Sequence, residues 1–188
     1  MGEADSAGDG EQRESVITGT RSSGIGTRDR RGKPPIPRPE SRGPSVFTLG
    51  YEKRSFPEYV AILKENRIQV VVDVRDVAWS HKPGFSEKPL AEGLKRAGIT
   101  YRRAEFAGNP KWLRAVADDL ADMLALYRWY LTEFDEVIPA FHALVKEETG
   151  SGKRICLTCF ERNPAECHRS ILLEMAGYRD VEHLGVRD

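Results

Sequence analysis

Arg154–Gly177 reads RICLTCFERNPAECHRSILLEMAG, and this stretch decides the fold class. Ile155–Phe160 has the continuous apolar character of a buried strand. Asn163-Pro164-Ala165-Glu166 then carries the marks of a helix start: a capping asparagine, a proline in the first turn and a glutamate at the capping-box position. The helix is expected to run to Ala176, with Gly177 just past its end. Strand, polar loop and apolar-faced helix in direct succession form the repeating element of an α/β fold.

Upstream, the same alternation recurs. Val46–Gly50 is a short apolar strand, and Ser55 with Glu58 forms a capping box ahead of a helix whose inner face is Phe56, Tyr59, Ile62 and Leu63. Ile68–Val74 is nearly all β-branched, which predicts a strand buried on both faces and a parallel pairing with the first. A helix from Ser86 or Glu87 to Gly98 and a strand over Ile99–Arg103 follow. Trp112–Tyr130 and Glu133–Glu148 read as helices, and Asp180–Leu184 as a last short strand. The expectation is a three-layer α/β fold: a mostly parallel, Rossmann-like sheet of about five strands flanked by helices. Residues 1–44 are rich in Gly, Ser, Arg, Asp, Glu and Pro, and read as a disordered tail before a single α/β domain over 45–188.

Composition narrows the function classes. Lys+Arg and Asp+Glu are each 29, so net charge favours neither a general nucleic-acid binder nor an acidic tail. No apolar run approaches the ~20 residues of a membrane span, and MGEADSAGDG lacks the apolar segment of a secretory signal. All three cysteines fall between 156 and 167, which fits a reducing cytoplasm rather than a disulfide framework.

In parallel sheets ligands sit at the carboxyl ends of strands, near helix N-termini. That rule groups Tyr51–Arg54, Asp73–Phe85, Glu105–Pro110 and Cys159–Arg169 on one rim. Asp73 and Arg75 stand two apart and share a side of the sheet, so Asp73 is read either as a structural ion pair or as a ligand contact. In Ser80-His81-Lys82-Pro83-Gly84, Ser80 and Lys82 can meet phosphate oxygens; no Gly-rich phosphate motif accompanies them. Cys167 is read as a buried thiol packing the helix on the sheet, or as a thiolate favoured by the helix N-terminus. His168 and Arg169 flank it, and Glu161 is a candidate general base. Cys156 and Cys159 form a CxxC within a strand, facing opposite sides. With the gap to Cys167-His168, this does not match common structural zinc spacing, so no metal and no cofactor are expected.

Gly50…Arg54-Ser55, Val72-Asp73-Val74-Arg75, Ser80, Gly84-Phe85, Gly98–Tyr101, Cys159-Phe160-Glu161 and Cys167-His168-Arg169 together resemble the bacterial and archaeal family named domain of unknown function 488. The resemblance covers about Ser45 to Leu184. It implies a compact α/β domain with a site built from Asp73, Arg75, Glu161, Cys167, His168 and Arg169, and no established reaction. Tyr51-Glu52 stands where the family pattern has histidine-serine, and Phe106-Ala107-Gly108 keeps only the last glycine of a Leu-Gly-Gly.

The function expected is a cytoplasmic enzyme acting on a nucleotide, nucleic acid or other phosphorylated compound. Asp73, Glu161, Cys167 and His168 are its catalytic candidates; Arg54, Arg75, Ser80, Lys82 and Arg169 are its anion-binding candidates. The alternatives are a non-catalytic nucleotide- or nucleic-acid-binding regulatory module and a purely structural partner domain.

Overall fold

Strand β4 (Ile155–Cys159) is buried at all five positions and lies at the centre of the sheet. The computed structural model describes residues 45–186; the expected tail over 1–44 lies outside the described residues. In chain order the other elements are β1 (Val46–Gly50), α1 (Phe56–Glu65), β2 (Val70–Asp73), α2 (Glu87–Arg96), β3 (Thr100–Arg103), α3 (Lys111–Arg114), α4 (Leu120–Glu133), α5 (Val137–Thr149), α6 (His168–Met175) and β5 (Val181–His183). The sheet is entirely parallel, ordered β3-β2-β4-β1-β5.

One expectation is corrected here. β1 and β2 do not pair with each other, although one helix connects them. β4 enters between them, with Ile155 opposite both Val46 and Val70. The local βαβ pattern gives the direction of both strands but leaves open the slot that a later strand fills.

Alternation along the strands divides the core into two layers. Val46, Val70, Val72, Ile155 and Leu157 face α3–α6, meeting Leu113, Tyr127, Phe141 and Leu172. Phe47, Leu49, Val71 and Cys156 face α1 and α2, meeting Tyr59, Leu63, Leu90 and Leu94. Each such leucine contributes about 1.5–3 kcal/mol by leaving water. The capping box forms as expected: Ser55 Oγ accepts from Glu58 N, and the Glu58 carboxylate accepts from Ser55 N at 2.6 Å.

The last helix departs from its sequence signature. Asn163 caps a 3-10 turn, Pro164–Glu166, accepting from Ala165 N through its side chain. Cys167 then returns to an extended conformation (φ −126°, ψ 137°), and α6 begins only at His168. Cys167 therefore precedes the helix rather than sharing a turn with His168, and its side chain escapes the helical spacing between neighbours.

Candidate active site

The carboxyl ends of β1, β2 and β4 open into a cavity of about 540 Å³. Tyr51, Arg75–Val77, Trp79–Lys82, Asn109, Cys159–Glu161 and His168 contribute to its wall, so three strand ends and the β3–α3 loop converge there. Two glycines permit that convergence. A Cβ at Gly50 would overlap the Glu161 carbonyl, and one at Gly108 would overlap the Asp76 backbone. The glycine retained at 108 is thus the one making a close backbone approach.

On one side of the cavity four donor groups meet. Cys159 Sγ donates to Glu161 Oε2 at 3.0 Å, and lies 3.7 Å from His168 Nδ1. Cys167 Sγ lies 3.9 Å from the same nitrogen, and the four donor atoms are all within 4.8 Å of one another. Cys159, Cys167 and His168 are buried, while Glu161 is partly exposed. His168 Nε2 sits 2.8 Å from the Val74 carbonyl, and the Tyr127 ring stands edge-on to the imidazole at 5.1 Å. Tyr127 is itself tied by its hydroxyl, which donates to Ala107 O at 2.8 Å.

Close packing shifts the titrations. Burial pushes the Glu161 carboxyl above its usual range, and the Cys167 sulfur adds to this. For Cys167, burial works upward, but the Cys159 thiol, His168 and Arg169 outweigh it and draw the thiol well down. Cys159 moves well up, through Cys167 first and burial second. His168 is lowered by burial but raised on balance by Cys167 and the Val74 carbonyl.

The other candidates are placed differently. Asp73 is fully buried at the end of β2, and Arg75 grips both its oxygens, Nε to Oδ1 at 2.8 Å and Nη2 to Oδ2 at 2.6 Å. Tyr101 also donates to Oδ2, at 2.9 Å. Arg75 spends Nη1 on Tyr51 Oη and Phe85 O. Of the two readings of Asp73, these contacts are those of the ion pair. Arg75 is held charged because Asp73 outweighs its burial.

Arg169 is 1% exposed and is absent from the cavity wall; it donates to Glu161 O at 2.7 Å and Arg162 O at 3.3 Å. Arg54 is likewise spent on Gly50 O and Gly185 O. These two arginines bind main chain, not the cavity. Ser80 and Lys82 do line the cavity; Ser80 Oγ accepts from Lys82 N, and Lys82 Nζ donates to Tyr51 O at 3.0 Å. Their loop is closed by the Ser86 hydroxyl, which donates to Ser80 O and accepts from Ser80 N.

Of three further wall residues, Trp79 and Asn109 lie in loops that the sequence groups on this rim, Trp79 being read there as a stacking surface or a core residue, whereas Arg114 escaped sequence reasoning. Trp79 is 60% exposed. Arg114, at the end of α3, donates to Asn109 O at 3.1 Å. Asn109 is buried, and its Oδ1 finds no hydrogen-bond partner among the described residues. Cys159, read in the sequence as half of a CxxC at the strand end, is not among the catalytic candidates there. Its sequence signal is parity: it faces away from Cys156, toward the side on which Cys167 arrives.

Among the described residues, no helix is long and apolar enough to cross a membrane. No curated protein matches the chain. Two solved structures of a DUF442 protein from Shewanella putrefaciens CN-32 are similar at 14% and 13% identity. They cover 73% and 75% of this chain and 70% of theirs, each with a TM-score of 0.40. The family model described as "Domain of unknown function DUF488" matches residues 55–176, most of the α/β region, and the chain belongs to that family.

Proposed function

We propose that the protein is an enzyme acting on a nucleotide or related phosphorylated compound bound in the cavity at the ends of β1, β2 and β4. The supporting observation is the pairing of a reactive floor with an anion-compatible rim. Cys159, Glu161 and His168 line the cavity, and Lys82, Arg114 and exposed Trp79 line it with them. Lys82 and Arg114 offer charge-assisted hydrogen bonds to phosphate oxygens, and Trp79 a face for a base. Glu161, the partly exposed carboxylate of the cluster, is the group placed to exchange a proton with a bound substrate.

Incubation with a panel of nucleoside mono-, di- and triphosphates, followed by chromatography and calorimetry, tests this reading. Turnover of one member, abolished in Glu161→Gln with the circular dichroism spectrum intact, is the expected result. Binding without product in the native protein would make it the regulatory module instead. Absence of both would overturn the proposal.

A further inference from the structure

The four donor groups beside the cavity suit a metal ion. We infer that Cys159, Cys167 and His168, with Glu161 at the fourth vertex facing the cavity, hold one zinc ion. This deepens the proposed function by naming the electrophile at the same site, and rests on that reading only for the ion's catalytic use.

The geometry is that of a tetrahedral site. Zinc bonds of about 2.3 Å to sulfur and about 2.0–2.2 Å to nitrogen and oxygen require donors separated by about 3.3–3.8 Å. The observed separations of 3.0, 3.7 and 3.9 Å, within an outer limit of 4.8 Å, bracket that range. Small side-chain rotations bring all four onto one point. Two sulfur donors with an imidazole select a borderline-soft ion over magnesium or calcium.

The surroundings point the same way. A carbonyl only accepts, so the Val74 contact at 2.8 Å places a hydrogen on His168 Nε2. The neutral ring then turns its Nδ1 lone pair toward the two sulfurs, the outer-shell arrangement that orients a ligating histidine. Tyr127 fixes the ring plane, and Arg169 fixes the backbone of Glu161. Zinc entry displaces two protons, one from Cys159 and one from the Cys167–His168 pair, and both pass to solvent.

The chain achieves this without the spacing of a zinc finger. Cys167 is extended, so it approaches from the loop, while His168 approaches from the first position of α6. Cys159, Cys167 and His168 are buried and Glu161 is partly exposed at the cavity wall, so Glu161 is the ligand that substrate oxygen or water can displace. The ion would then polarise a phosphoryl oxygen directly.

The test uses the full chain, reduced, stripped with a chelator and titrated with cobalt(II), then with zinc in competition. One equivalent of cobalt with intense thiolate charge-transfer bands, displaced by one equivalent of zinc, is expected. Cys159→Ser and Cys167→Ser should each weaken the bands about twofold, and Cys156→Ser, on the other face of the sheet, should leave them unchanged. A cobalt spectrum without thiolate bands in the reduced native protein would overturn the site, whatever the folding of the variants. So would bands of undiminished intensity in both Cys159→Ser and Cys167→Ser. Stoichiometric zinc without nucleotide turnover leaves the metal site standing and removes the proposed function. Undiminished turnover in stripped protein does the reverse for the ion's catalytic use.

Discussion

Arg169 holds the main-chain carbonyl of Glu161 at 2.7 Å from inside the protein, while the Glu161 side chain turns into the cavity. A charged residue almost wholly withdrawn from water thus positions the backbone of the carboxylate that faces solvent. Removing it leaves two half-buried carbonyls, those of Glu161 and Arg162, short of a donor, at about 1–2 kcal/mol each. Arg169→Met is expected to lower stability in urea by about 2–4 kcal/mol. In whatever protein remains folded, nucleotide affinity should keep the native dependence on salt.

Lys82 and Arg114 should behave in the opposite way. Each reaches the cavity from a loop or helix end and contributes little to the core. Lys82→Ala and Arg114→Ala are expected to leave the urea midpoint nearly unchanged. Each should weaken nucleotide binding by about tenfold or more, the worth of a charge-assisted hydrogen bond. Calorimetry at two salt concentrations checks this, and the salt dependence should become shallower in both variants.

The Asp73–Arg75 pair is expected to act as a structural unit. Asp73→Leu leaves a buried guanidinium without its counter-ion and should cost about 3–5 kcal/mol. Adding Arg75→Met to that variant should recover part of the loss, because the stranded charge is then gone. Urea unfolding of the two single variants and the double variant measures the coupling.

The capping box of α1 gives a pH signature. The Ser55 hydroxyl and amide lower the Glu58 carboxyl below its usual range. Its folded value is depressed, so its stabilisation is complete above the unfolded value, about 4.3, and fades as pH falls through the folded one. Ser55→Ala should cost about 1 kcal/mol at neutral pH. The gap between variant and native protein in urea titrations should narrow below about pH 4.

Gly50→Ala tests the approach of β1 to the Glu161 segment. A methyl group there meets a carbonyl oxygen of the chain rather than a yielding side chain. Overpacking of this kind costs about 1–3 kcal/mol. Differential scanning calorimetry should show a lowered midpoint, and nucleotide affinity should fall with it.

β1, β2 and β4 were legible from short apolar runs, β-branched in the case of β2, and the α1 cap from its side-chain pattern, because both signals are local. The central place of β4 was not legible. Parallel neighbours are chosen by crossovers through the third dimension, and Ile155 carries nothing to distinguish Val46 from Val70 as a partner. Alternation put Asp73 and Arg75 on one side of the sheet and made their ion pair one of two readings, whereas the role of Arg169 was hidden: nothing local says that an arginine after a histidine will turn inward to main-chain carbonyls. The late start of α6 was hidden because Asn163 and Pro164 open a 3-10 turn as readily as an α-helix. Only the return of Cys167 to extended backbone distinguishes the two, and it brings Cys167 to His168 from the loop rather than from the helix.

The insertion of β4 between β1 and β2 also governs assembly. Leu49 and Thr158, joined by a side-chain hydrogen bond across that seam, are 109 positions apart. Until the later strand is synthesised, two earlier ones present unsatisfied amides and carbonyls to each other across a gap. Closure must therefore wait for a distant segment, which makes folding slow for a chain of this size. Nascent chains arrested before Ile155 would expose unpaired strand borders, the kind of surface on which incomplete chains aggregate.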